Sequence, residues 1–175
     1  MPARLIYVVG PSGSGKDSLL RYAREKLADD PGVVFAHRYI TRAADAGGEN
    51  HVALTPAEFA SRQRNRLFAL AWHSHGHAYG IGIEISQWLA KGATVVVNGS
   101  REYLAEASQR FPELLAVSID VPAEVLRERL LARGREDAAS VEQRLERHRR
   151  MQSPSPSGHV ITNDGPLERA GEALV

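Results

Sequence analysis

The chain has 175 residues, of which 43% are hydrophobic and 25% charged, an ordinary globular balance in a length that suits one domain. A formal net charge of +1 gives no reason to expect a nucleic-acid or membrane partner, and no apolar stretch is long enough to span a bilayer. The absence of cysteine excludes disulfides, thiolate metal sites and thiol catalysis, and the cytoplasm is the expected compartment.

The first element is the apolar run Leu5-Ile6-Tyr7-Val8-Val9, expected to be a buried strand rather than a signal peptide because it is short and feeds straight into a glycine-rich loop. That loop, Gly10-Pro11-Ser12-Gly13-Ser14-Gly15-Lys16-Asp17, fits G-x-x-x-x-G-K up to its last position, and a helical pattern from Ser18 to Leu27 follows. Glycines are needed there because backbone N–H groups must turn inward onto phosphate oxygens while the new helix points its positive dipole end at them. Lys16 is expected to reach the β- and γ-phosphates. A turn that only joined strand to helix would leave a lysine in that register unexplained. The expectation is an ATP site bound by Gly10, Pro11, Ser12, Gly13, Ser14, Gly15, Lys16, Asp17 and Ser18.

One position departs from the pattern. The residue after the lysine normally carries a hydroxyl that ligates Mg²⁺, and here it is Asp17, with Ser18 one place later. A hard divalent cation accepts carboxylate oxygen, so Asp17 is a candidate magnesium ligand; the alternative is that it complements the helix dipole.

Further apolar runs at Val33 to Ile40, Ala93 to Val97, Leu114 to Val121 and His159 to Thr162 also read as strands, with helical patterns between most of them. Near-continuous apolar strands separated by helices imply a parallel sheet covered on both faces, with ligands beyond the carboxyl ends of its strands. From Thr41 to Gly82 the pattern changes to Gly47-Gly48, a helix candidate at Pro56 to Arg64 and short apolar pieces. It reads as an inserted lobe, of the kind a kinase closes over its acceptor to exclude water. Arg38 and Arg42 stand at its entrance as candidate grips for an anionic group, surface ion pairs being the alternative. His73, His75 and His77 alternate, so on one strand they would share a face; a metal site, hydrogen bonds to a ligand and plain half-exposed histidines are all open.

A second basic segment holds Arg127, Arg129, Arg133, Arg135, Arg144, Arg147, Arg149 and Arg150 on two helical stretches joined by Gly134 to Ala139. Interleaved Glu124, Glu128, Glu136, Asp137, Glu142 and Glu146 largely cancel it, and no aromatic platform offers to stack bases. A lid that brings arginines onto a transferring phosphoryl group is the better reading. The piece Ser153-Pro154-Ser155-Pro156-Ser157-Gly158 is a short connector before the last strand.

The phosphate loop, Thr41-Arg42 with Gly48-Glu49, Gly76-x-x-Tyr79-Gly80, Arg129-Leu130 to Arg133-Gly134 with Gln143-Arg144-Leu145, and Val160-Ile161-Thr162-Asn163-Asp164 together resemble the guanylate kinase family. The resemblance covers nearly the whole chain in order. It implies one α/β domain with the P-loop NTPase fold: a five-stranded parallel core (1–40, 83–132 and 151–175) with helices on both faces, an acceptor lobe (41–82), an Arg-rich lid (133–150), and Asn163 near the adenine. Lys16, Arg129, Arg133 and Arg144 are then the catalytic candidates.

The departures are informative too. Where that family reads guanine with a Glu, this chain has Phe68-Ala69-Leu70, and where it has Thr or Ser after Tyr-Gly, this chain has Ile81; neither Leu70 nor Ile81 can hydrogen-bond a base. The paired aspartates ending the third strand are replaced by Asn98 and Ser100. Gly-Lys-Asp-Ser, Ile40-Thr41-Arg42, Gly48-Glu49-Asn50-His51 and Val97-Asn98-Gly99-Ser100-Arg101 instead resemble the ribose 1,5-bisphosphate phosphokinases of phosphonate breakdown. That resemblance implies ATP and Mg²⁺, a sugar phosphate acceptor, and substrate contacts from Arg38, Arg42, Glu49, Tyr79, Asn98, Ser100 and Arg101; a monomer or homodimer is expected. A nucleoside monophosphate kinase and a non-catalytic guanylate-kinase-like binding module are the alternatives.

Overall fold

In the computed structural model, which describes residues 3–134, 137–151 and 158–175, the apolar runs form strands with one exception. The leading run is β1 (Leu5–Val9), followed by α1 (Lys16–Lys26), β2 (Val33–Phe35), β3 (Tyr39–Ile40), a 3-10 turn (Ala44–Ala46), β4 (Val52–Ala53) and α2 (Pro56–Arg64). A hairpin of β5 (Phe68–Ser74) and β6 (His77–Gly82) comes next, then α3 (Glu84–Ala90), β7 (Thr94–Asn98) and α4 (Leu104–Arg110). The chain ends with β8 (Leu115–Asp120), α5 (Ala123–Ala132), α6 (Ala138–Arg150), β9 (Gly158–Thr162) and α7 (Leu167–Leu174). Arg135, Glu136 and the connector from Ser153 to Ser157 lie outside the described residues.

Five strands make a parallel sheet in the order β2-β7-β1-β8-β9, and four make a second sheet in the order β4-β3-β6-β5, giving an α/β architecture. The exception is the run from Val33 to Ile40, expected as one strand and observed as two. Its first half pairs in parallel with β7, a ladder that ends where the Ala36 N–H reaches the Val96 carbonyl at 3.0 Å. Its second half lies between β4 and β6: Val52 N–H donates to the Arg38 carbonyl and Leu54 N–H to that of Ile40, while Tyr39 and Ile40 pair with Gly80 and Tyr79. Apolar character records that a segment is buried, not which strand accepts its backbone bonds.

Contacts divide the chain into two units, Met1–Tyr7 with Asp29–Leu114, and Val8–Ala28 with Leu115–Val175. In the first, α2 opens on a reciprocal cap in which Thr55 and Glu58 satisfy each other's backbone N–H, with Pro56 in the first turn. Its apolar face carries Phe59 onto Phe68, rings stacked with centroids 4.6 Å apart, beside Leu54 and Ala78. The β5–β6 hairpin turns through His75 and Gly76, both at positive φ (50° and 75°), the conformation that a tight two-residue turn demands. His73, His75 and His77 are therefore divided among a strand, a turn and the returning strand, and do not share one strand face.

In the second unit, α5 and α6 pack through Leu126, Leu130, Val141 and Leu145, with Val121 beneath them. Asp137 caps α6 by accepting the Ser140 N–H at 2.8 Å. α7 lies against α1, where Gly171 leaves room for the Tyr22 ring.

Gly80 is tightly enclosed within the second sheet, since a Cβ there would stand 2.6 Å from the Phe68 ring. Gly80→Ala should lower stability by about 1–3 kcal/mol through overpacking. A urea titration reads it as a lower midpoint at unchanged slope; an unchanged midpoint would mean that the ring yields freely.

Candidate active site

In the second unit, the loop after β1 needs a backbone that L-residues avoid. Gly13 and Gly15 sit at φ 89° and 82°, and Gly15 caps α1 so that Lys16 is its first residue. Space is constrained as well: a Cβ on Gly13 would lie 2.9 Å from Leu126 of α5, and one on Gly15 would lie 2.5 Å from Asn163 Nδ2. Ser14 is buried and its Oγ makes no hydrogen bond among the described residues. A buried hydroxyl left in this way calls for an oxygen or nitrogen partner from outside the chain. The loop thus fits the phosphates of a nucleotide. Ser12 and Asp17 are exposed around it, and Pro11 is buried.

Two arginines predicted for the lid are directed at this loop. Arg144 Nη1 donates to Ser12 Oγ at 2.6 Å, and Arg129 Nη1 to the Ser14 carbonyl at 3.4 Å. Their neighbours Leu130 and Leu145 are the buried anchors that fix which way each helix faces. Arg133 stands exposed at the C-terminal cap of α5. Asn163, expected beside an adenine, has its amide on the loop itself: Nδ2 donates to the Ser14 carbonyl at 2.7 Å.

The first unit holds a separate charged cluster. Arg38 grips Glu49 with both Nε (2.8 Å to Oε2) and Nη2 (to Oε1), and its guanidinium lies 4.8 Å over the Tyr79 ring. Tyr79 is stacked on Trp72 at 5.7 Å and 3°, and Trp72 on Tyr103 at 5.4 Å. Glu49 also stands 3.7 Å from Arg42 Nη2 and 3.5 Å from Asn98 Nδ2. Nε and Nη2 of Arg42 are shielded from solvent and make no hydrogen bond among the described residues. One carboxylate set against two guanidiniums leaves the cluster positive, and Arg42 has the donors with which to take an anion.

Two residues of this cluster escaped the sequence-based site. The buried His51 ring bridges the carbonyls of Arg42 (3.0 Å) and Glu49 (3.2 Å), tying together the two ends of the loop that carries them. Tyr7 accepts the Ser100 N–H at 3.0 Å and donates to the Ser100 carbonyl at 3.3 Å, and its ring fills the space a Cβ on Gly99 would need. A phenol inside an apolar strand run was the available signal, because a buried hydroxyl must find a polar partner. Burial pushes the Tyr7 hydroxyl up to about 12, so it stays protonated and orders the Asn98-Gly99-Ser100 turn without acting as a base. Arg101 follows that turn, half-buried.

Leu70 and Ile81 face each other across the hairpin and are both fully buried. His77 Nδ1 is bonded to the Thr41 carbonyl at 2.8 Å, and His73 lies at the edge of the Phe59 ring. Among the described residues no group of three or more His, Cys, Asp or Glu is placed to hold a metal ion. Magnesium does not require such a group, because one or two carboxylates beside nucleotide phosphates suffice.

A family model described as "AAA domain" matches residues 6–150. The chain is 59% identical to the "Ribose 1,5-bisphosphate phosphokinase PhnN" of Thiobacillus denitrificans, over 98% of this chain and 90% of that one. It is 60% identical to the protein of the same name from Desulfomicrobium baculatum, over 98% and 92%. Among solved structures it is similar to guanylate kinase from Anaplasma phagocytophilum, with a TM-score of 0.69 at 17% identity over 99% of this chain and 82% of that one, a likeness of fold.

The Arg38–Glu49 pair is nearly buried, so neutralising one partner leaves the other charge without an equal. Glu49→Gln should cost on the order of 3 kcal/mol of stability. A drop in melting temperature checks it; a variant as stable as the parent would show that water relieves Arg38.

Proposed function

We infer the reaction from kinship and chemistry together: this chain belongs to the ribose 1,5-bisphosphate phosphokinase family, and it moves the γ-phosphoryl group of ATP onto the 1-phosphate of ribose 1,5-bisphosphate, giving 5-phosphoribosyl 1-diphosphate and ADP. The observation that carries this is identity of 59% and 60% over nearly the full length of both chains to proteins of that name. The acceptor chemistry agrees. A phosphate monoester with a second pKa near ~6 is already an anionic nucleophile at neutral pH, so the enzyme has to bind and align it rather than deprotonate it. Tyr7, held protonated, is consistent with a site that uses no phenolate base.

In this reading the phosphate loop and Lys16 hold the ATP phosphates, and Arg129, Arg133 and Arg144 supply positive charge where it develops on the transferring group. Arg42 takes an acceptor phosphate through Nε and Nη2, which make no hydrogen bond among the described residues. Arg38, held by two hydrogen bonds to Glu49 and stacked on Tyr79, acts by holding Glu49 and through it the loop that presents Arg42. Asn98, Ser100 and Arg101 complete the acceptor side. Bound Mg²⁺ would shield charge on the nucleotide phosphates, with Asp17 as its protein ligand. No described helix is long and apolar enough to cross a membrane. The same reading makes this chain a cytoplasmic enzyme acting on a small sugar phosphate, as a monomer or homodimer and with no nucleic-acid or membrane partner.

Leu70 and Ile81 give the reading its sharpest test. Two fully buried aliphatic side chains offer nothing to a purine edge, and a base left without hydrogen-bond partners is rejected by several kcal/mol. With ADP release as the measure, ribose 1,5-bisphosphate should exceed GMP in kcat/KM by at least about a hundredfold. GMP as the better acceptor would replace the assignment with an unusual guanylate kinase.

Magnesium dependence gives a second test. Asp17→Asn keeps size and removes charge, so it should raise the Mg²⁺ needed for half-maximal rate and lower kcat while leaving the acceptor KM in place. Were Asp17 only a partner of the helix dipole, the melting temperature would fall slightly and the Mg²⁺ titration would stay unchanged.

A further inference from the structure

We propose that Asn163 is a positioning residue for the nucleotide phosphates, setting the orientation of the Ser14–Gly15 peptide, and that it does not read the adenine base. The inference rests on the phosphate-loop reading given above and assigns to Asn163 a different task within it. Asn163 follows β9, its backbone N–H is pinned to the Asp120 carbonyl at 2.8 Å, and the residue is 4% exposed. From that fixed base Nδ2 donates to the Ser14 carbonyl at 2.7 Å, and Arg129 reaches the same oxygen from α5 at the longer distance of 3.4 Å.

A peptide unit is planar and trans, so its C=O and the following N–H point in opposite directions. Holding the Ser14 carbonyl on Asn163 therefore turns the Gly15 N–H away from Asn163 and toward the concave side of the loop. Gly15 itself stays at φ 82°, and only the absence of a Cβ lets the amide approach, since that atom would lie 2.5 Å from Nδ2. The glycine and the asparagine fit each other as a pair. With one amide hydrogen committed to the Ser14 carbonyl and the residue almost wholly enclosed, the side chain is directed at the loop backbone.

The two roles predict different binding patterns, which ATP, GTP and inorganic tripolyphosphate separate on the full chain in magnesium buffer. Asn163→Ala should weaken all three by a similar factor of roughly tenfold, corresponding to about 1.4 kcal/mol, and raise the KM for ATP without moving that of the acceptor. Loss confined to ATP, with tripolyphosphate binding intact, would mean that Asn163 reads adenine; no loss with any ligand would remove it from nucleotide binding. Either result overturns the proposal. Asn163→Asp gives the same readouts if the alanine variant does not fold, because a carboxylate of equal size cannot donate to the Ser14 carbonyl. Lys16→Ala serves as the reference: if it binds tripolyphosphate as tightly as the parent, the phosphate-loop reading fails and this one with it, whereas a weak Lys16→Ala beside an unaffected Asn163→Ala rejects the positioning role alone.

Discussion

A phosphate loop works only if its peptide planes are held with their N–H groups inward, and in this protein that constraint falls on the carbonyl of Ser14. The bond from Asn163 joins the loop to the end of β9, and the bond from Arg129 joins it to α5. Gly13 against Leu126 and Gly15 against Asn163 remove the remaining freedom by contact. Order in the loop thus depends on elements more than a hundred residues away in sequence, and on side chains that touch its backbone. The buried stripe of α5 and α6 matters for the same reason: packing Leu126, Leu130, Val141 and Leu145 sets the rotation of both helices and so the direction of Arg129 and Arg144.

The other unit solves a different problem, the placement of two like charges near each other. Guanidiniums repel, and burying them without a counter-charge is costly. Glu49 answers this by taking the fork of Arg38 and standing within ion-pair distance of Arg42, while a column of Tyr79, Trp72 and Tyr103 supports the face of Arg38. The result is a division of labour between two arginines that sequence alone treats as equivalents. One is held by two hydrogen bonds and a ring face; the other has shielded Nε and Nη2 that make no hydrogen bond among the described residues.

On the proposed reading, acceptor selection follows from what the second sheet lacks. Positions that a purine kinase would equip with hydrogen-bonding groups are filled by Leu70 and Ile81, packed against each other across the hairpin. A phosphate acceptor that arrives already ionised also frees the site from providing a base, which suits a cluster made of arginines, amides and a phenol that keeps its proton.

Much of this was legible in the sequence. Apolar runs located nearly every strand of the parallel sheet, α2 was placed at Pro56 to Arg64, and the spacing from Gly10 to Lys16 identified the phosphate loop, because each of these is a local pattern with a local cause. Departures at Leu70, Ile81, Asn98 and Ser100 were likewise readable as changes of side-chain chemistry. The rest required the fold. Val33 to Ile40 had to be seen exchanging β7 for β4 and β6, since burial does not name the bonding partner. The histidines needed the positive φ of His75 and Gly76 to separate them. Arg38 and Arg42 differ only through Glu49 and Tyr79, and Asn163 takes its place against Ser14 only once β9 has paired with β8: these are contacts between residues distant in sequence, which no local pattern contains.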